Sequence, residues 1–165
     1  MPYHFTGPAN VGWQPIDENS TVRNHVLGTI VTAHDPTYGS GEFIYLTGVA
    51  STAVGSLVTY MNTGATALAA VGANKPQPIA VAMAATVASE FGWYQISGRA
   101  VCKKSCTISL AANAAVGVLT TGLIAGTGSG KEIHGALVAA VASAAAGRTT
   151  VQVILNRPHM QGRVT

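Results

Sequence analysis

Between Thr149 and Leu155 the chain alternates, with Val151, Val153 and Leu155 on one side and Thr150, Gln152 and Ile154 on the other. A period of two places successive side chains on opposite faces of an extended strand, and a helix cannot satisfy it. Shorter runs with the same signature recur along the chain. Residues 26–31 read as a strand, and residues 34–41 are dense in turn formers and read as a loop. In residues 42–49, Phe43, Tyr45, Thr47 and Val49 fall on one face and Ile44 and Leu46 on the other. Both faces are apolar, so this strand is expected to be covered on both sides. Residues 55–61, 66–71, 79–83, 91–101, 107–110 and 116–119 complete the set, with the stretch around Trp93, Tyr94 and Ile96 as the densest in aromatics. Residues 120–130 read as a loop. Residues 136–146 stay ambiguous, because alanine favours helix while Leu137, Val138 and Val141 also suit a strand. Asn156, Arg157 and Pro158 are expected to end the last strand.

Many short strands separated by turn signals predict an all-β fold, a compact β-sandwich or a small β-barrel. Phe43, Tyr45, Tyr60, Trp93, Tyr94 and Ile96 are the expected core or subunit-interface residues. The first residues differ from the rest. Pro2, Gly7, Pro8, Gly12 and Pro15 break regular structure, yet Tyr3, Phe5, Val11, Trp13 and Ile16 are apolar. This pairing predicts an extended N-terminal arm over residues 1–21, with those five side chains as anchors on a neighbouring subunit or assembled surface, the alternative being an arm folded back on its own domain. The β-rich domain then spans residues 22–158, and residues 159–165 form a polar tail.

Charge narrows the functional classes. Only nine Lys and Arg and six Asp and Glu occur in 165 residues, or 9 %, against about 25 % in an ordinary soluble domain. A surface of Ala, Gly, Ser and Thr is cheap to desolvate and loses little side-chain entropy against a partner. That composition suits a protein of assemblies. The charges are also split: residues 1–90 carry two basic and five acidic side chains, residues 91–165 seven basic and one acidic. The basic residues are dispersed and not interleaved with aromatics, so no nucleic-acid surface is expected. No apolar run approaches the ~20 residues of a helical membrane span, and no secretory leader is visible. Synthesis in a reducing cytoplasm is therefore expected, with Cys102 and Cys106 as free thiols.

Three motifs resemble catalytic or binding signatures and fail on their chemistry. Residues 125–132 approximate a phosphate-binding loop, but Ala125 stands where the first glycine belongs and Glu132 where a Ser or Thr hydroxyl would meet Mg²⁺. Cys102 and Cys106 supply two thiols where a structural zinc site needs four ligands, and His4, His25, His34, His134 and His159 are scattered. Neither Ser40 nor Ser129 sits in a nucleophile elbow with a plausible Asp and His. The expectation is no catalytic, cofactor-binding or metal-binding residue.

Residues 41–60, 79–85 and 92–101, with the loop at residues 33–39, resemble head decoration or capsid cement proteins of tailed bacteriophages. The likeness covers roughly residues 25–101 and is one of texture, with a looser match beyond. The resemblance implies a β-rich subunit that adds to the outside of an assembled capsid and stabilises it. Its partners would be the major capsid protein and itself, more often as a homotrimer than as a dimer, and its location the virion exterior. It supplies no catalytic residues. A different virion component, such as a head-fibre base or tail protein, and a surface- or carbohydrate-binding β-sandwich are the alternatives.

Overall fold

The computed structural model describes residues 3–6, 12–71 and 76–162. Among the described residues it is an all-β fold of twelve strands in one antiparallel sheet that is not closed into a barrel. In chain order these are β1 (His4–Phe5), β2 (Asn19–Ser20), β3 (Ile30–Asp35), β4 (Gly39–Thr47), β5 (Leu57–Tyr60), β6 (Thr66–Leu68), β7 (Ile79–Ala82), β8 (Phe91–Lys103), β9 (Ala115–Val118), β10 (Ile124–Gly126), β11 (Glu132–Val138) and β12 (Thr150–Met160). The main path through the sheet runs β1-β3-β4-β8-β12-β11-β9-β10.

β8 organises the fold. Gln95 pairs with Phe43 of β4 and with Val81 of β7, so β4 and β7 occupy opposite edges of β8. β2 joins at Phe91 and Gly92, and β12 runs along residues 97–103. Between β4 and β7 the first half of β8 is covered on both faces, with residues 92–96 all buried. On one side Phe43, Tyr45 and Trp93 pack with Tyr3 and Ile16; on the other Ile44, Leu46, Tyr94 and Ile96 pack with Val58 and Ala82. Tyr60 is half-buried beside the second cluster. A third cluster gathers Leu57 and Val81 with Cys102, Val118, Ile124 and Val153. Strands remote in the pairing order thus share a core, which requires the sheet to curl.

Several strand boundaries depart from the sequence expectation. Residues 26–29 are not strand: Gly28 adopts φ +85° in a turn, and β3 begins at Ile30. The expected loop at residues 34–41 shrinks to a hairpin turn at Pro36–Tyr38, because the buried Asp35 carboxylate accepts the backbone N–H groups of Thr37 (2.7 Å) and Tyr38 (2.9 Å). Residues 107–110 form only a bridge, Leu110 to Ala142. The ambiguous segment resolves as strand through Val138, since β11 is paired with β9 and β12 on its two edges.

Pro158 does not end β12, and His159 and Met160 belong to the strand and not to a tail. The ladder survives because it bulges. The register with β11 shifts between His134 and Ala136, Gly135 adopts φ +76°, and Arg157 adopts φ +44°. A bulge leaves a residue without a ladder partner, which is where a proline is tolerated. Gly135 is required there, since a Cβ would meet the Asn156 carbonyl at 2.7 Å.

The N-terminal segment is a further correction. Its described residues do not form a free arm, and the boundary at residue 21 separates no independent unit. β1 pairs with β3, β2 pairs with β8, and Tyr3 and Ile16 are buried within the chain's own core. The physical reason is the aromatic cluster beneath them, which would otherwise face water.

Candidate docking surface

The described residues among those singled out from the sequence as arm anchors, Tyr3, Phe5, Trp13 and Ile16, converge on one internal cluster. Tyr3 meets Phe43 edge-on at 4.8 Å, and its hydroxyl donates to the Arg99 carbonyl at 3.0 Å. Phe5 and Trp13 are half-buried, 5.7 Å apart, and each lies about 6 Å from Trp93. Val11 lies outside the described residues. Gln14, which sequence reasoning passed over, is the hub. Its backbone carbonyl accepts Trp93 Nε1–H (2.9 Å), and its side-chain oxygen accepts the Tyr45 hydroxyl (2.8 Å). Its amide nitrogen donates to the carbonyls of Glu18 and Phe91. These bonds satisfy the indole N–H of Trp93, the hydroxyl of Tyr45 and the Gln14 amide itself, which offsets the cost of burying them.

His25 closes this cluster. Its ring stacks on Trp13 at 4.8 Å, and its Nε2 accepts the Gln14 backbone N–H at 3.1 Å. That bond needs the neutral imidazole, and burial lowers the His25 pKa below its ordinary 6.5. The unfolded chain therefore takes up this proton first. His25 stabilises the fold fully above about pH 6.5, and that contribution is lost as pH falls from there through the folded-state value. Thermal midpoints measured from pH 7.5 to 5 are expected to fall more steeply for the native chain than for His25→Gln, which keeps an acceptor and cannot titrate. Equal slopes would contradict this.

The two cysteines are free. Cys102 points into the core, where burial pushes its thiol up to about 12, so it is inert. Residues 127–131 run from β10 directly into β11, so no helix N-terminus stands behind the glycines to receive a phosphate. Among the described residues no three His, Cys, Asp or Glu side chains are grouped to hold an ion. Among them, too, no helix is long and apolar enough to cross a membrane.

The surface feature that stands out is the outward face of β8, β12 and β11. Alternation buries Ala100, Cys102, Val151, Val153 and Val138, and turns Arg99, Val101, Gln152, Ile154 and Leu137 outward. Register puts Leu137 beside Ile154 and Ile154 beside Arg99. Val101 lies beside Gln152, and Lys103 beside Thr150. Ile154 is 42 % and Leu137 37 % exposed, and Val141, just past β11, is 73 % exposed. A groove of about 400 Å³ opens here, lined by Tyr38, Val101, Ala140, Val141, Arg148 and Gln152 among others. The cations on this face, Arg99, Lys103 and Arg148, have no described acidic partner, whereas at its far edge Arg157 is paired to Glu42 through both guanidinium nitrogens (3.1 and 3.2 Å). The face is thus apolar at its centre and basic around it, the pattern of a surface that meets an acidic, partly apolar partner.

Beneath the groove Lys104 is 2 % exposed. Its ammonium donates to four backbone carbonyls, those of Ser105 (3.2 Å), Ile108 (3.0 Å), Ser143 (3.3 Å) and Arg148 (2.8 Å). The cage ties the residues after β8 to the segment between β11 and β12 and fixes the groove's floor.

The chain matches no family model, no curated protein and no solved structure.

Proposed function

We propose that this chain is a structural virion subunit that binds the outer surface of an assembled bacteriophage capsid and stabilises it. The observation that carries the reading is the outward face of β8, β12 and β11, with Leu137, Val141 and Ile154 exposed among Arg99, Lys103 and Arg148. The low charge of the whole chain and the resemblance of residues 25–101 to capsid cement proteins support it. The partner is the major capsid protein, met through an acidic and partly apolar patch, and the subunit also associates with itself, as a homotrimer. Stabilisation works by mass action: a ligand that binds the assembled shell and not its dissociated subunits shifts the equilibrium toward the shell. The N-terminal segment contributes by completing the subunit's own core.

The test uses assembled shells of the virus that encodes the chain. Wild-type protein is expected to co-sediment with them and raise their disruption temperature. Arg99→Glu combined with Val141→Asp changes only exposed side chains, so thermal stability stays within about 1 kcal/mol. Shell binding is expected to weaken at least tenfold. A double variant that decorates shells normally would remove the docking face from the proposal, and a native chain that never binds shells would remove the function.

A further inference from the structure

We propose that His134 and His159 form a two-histidine site for a divalent transition-metal ion on the outward side of the β11–β12 ladder. The two residues are direct register partners across the antiparallel pair. Side chains so opposed leave the sheet on the same side, about 4.5–5.5 Å apart at their Cβ atoms. The imidazole centroids lie 5.5 Å apart with the ring planes 29° from parallel, and both residues are exposed. An ion held at about 2.0–2.1 Å from one nitrogen of each ring in tetrahedral geometry spaces the centroids by roughly 5 Å. The centroid separation therefore matches that of a chelating pair, and the near-parallel rings must turn about their side-chain bonds to aim one nitrogen of each at the ion.

The backbone aims them. His134 is followed by Gly135, whose φ of +76° belongs to the bulge that shifts the register between His134 and Ala136. On the facing strand Arg157 at φ +44° and the buried Pro158 precede His159. Bulges re-aim side chains, and this one lies on one side of the histidine pair, while on the other the adjacent register pair Ile133 and Met160 is buried in the core and anchors both strands.

Ligand chemistry sets the ion class. Neutral imidazole nitrogen suits Zn²⁺, Ni²⁺ and Cu²⁺, whereas Mg²⁺ and Ca²⁺ require oxygen ligands. Two protein ligands leave the remaining coordination positions to water. Binding then clips β11 to β12 beyond the bulge. The second cross-strand pair, His4 and His34, differs in that His34 Nδ1 is engaged with Ser40 Oγ at 3.3 Å. It serves as the internal control.

The experiment is calorimetric titration of the untagged full chain with Zn²⁺ and with Ni²⁺, with Mg²⁺ as the negative case. One ion per chain is expected to bind more tightly than about 1 mM. His134→Ala and His159→Ala should each weaken binding at least tenfold, and His34→Ala should leave it unchanged. Both targeted residues are exposed, so the variants remain folded, and circular dichroism checks this. As a second readout, Zn²⁺ should raise the thermal midpoint of the native chain and of His34→Ala but of neither targeted variant. The proposal is overturned by the absence of saturable Zn²⁺ or Ni²⁺ binding, or by binding that survives in both His134→Ala and His159→Ala.

Discussion

Trp93→Ala is expected to destabilise the fold by about 3–5 kcal/mol, the range for emptying a buried aromatic site. Two effects act together. The indole is 1 % exposed and packs against Tyr45 at 5.0 Å, His25 at 5.4 Å, Trp13 at 5.9 Å and Phe5 at 6.0 Å, so its removal opens a cavity that four other rings border. The Gln14 carbonyl also loses the Nε1–H bond that satisfies it. A domain of this size holds about 5–15 kcal/mol of stability in total, so the loss is a large fraction. It should lower the thermal midpoint by on the order of 10 °C. Urea denaturation gives the free energy directly. Trp93→Phe keeps most of the packing and loses the hydrogen bond, so it should cost clearly less. Limited proteolysis of Trp93→Ala should cut first before residue 25, because Phe5, Trp13 and His25 all lose the ring they rest on. An unchanged denaturation midpoint would show that the cluster is not what holds the N-terminal segment.

That segment marks the boundary of what local sequence conveys. Spaced aromatics among prolines and glycines announced that residues 3–16 must bury something. The destination depends on pairings such as His4 with His34 and Asn19 with Gly92, which no local pattern encodes. The strands themselves were legible where alternation is local, as in β4, β8 and the first half of β12. They were misplaced where turn chemistry or pairing decides. Asp35 caps its own turn and so lengthens β3 and β4 into residues read as loop. Gly135 and Arg157 form a bulge that carries β12 past a proline. The outward face of β8, β12 and β11 was invisible for a related reason: Leu137, Ile154 and Arg99 become neighbours only through register. His134 and His159 are likewise 25 positions apart in the chain and opposite each other in the sheet.

Lys103 and Lys104 are consecutive and chemically identical, and their replacement is expected to have opposite consequences. Lys103 is half-buried on the outward face of β8, so Lys103→Met should change stability by no more than about 0.5 kcal/mol. Lys104→Met should cost about 3–5 kcal/mol, the penalty for breaking a buried charged arrangement by removing one partner. Methionine matches the length of the lysine stem, so little packing is lost. What is lost is the donor to four carbonyls converging from Ser105, Ile108, Ser143 and Arg148. Three ammonium hydrogens serve four acceptors, so at least one bond is shared, and the carbonyl dipoles take the place of a carboxylate. Once the ammonium is gone, like dipoles face each other at close range and two chain segments separated by about forty residues lose their link. Water entering from the adjoining groove relieves part of this, which keeps the loss below the sum of four unsatisfied groups. Lys104→Arg should also destabilise, because a planar guanidinium does not fit a cage built around a point cation. Chemical rescue isolates the electrostatic cause. In Lys104→Ala the shortened side chain leaves room for a small alkylammonium ion, and added propylammonium should restore part of the lost thermal midpoint while an equal concentration of sodium chloride does not. Equal effects of the two salts, or a Lys104→Met chain as stable as Lys103→Met, would mean that the carbonyl cage contributes nothing to holding the two segments together.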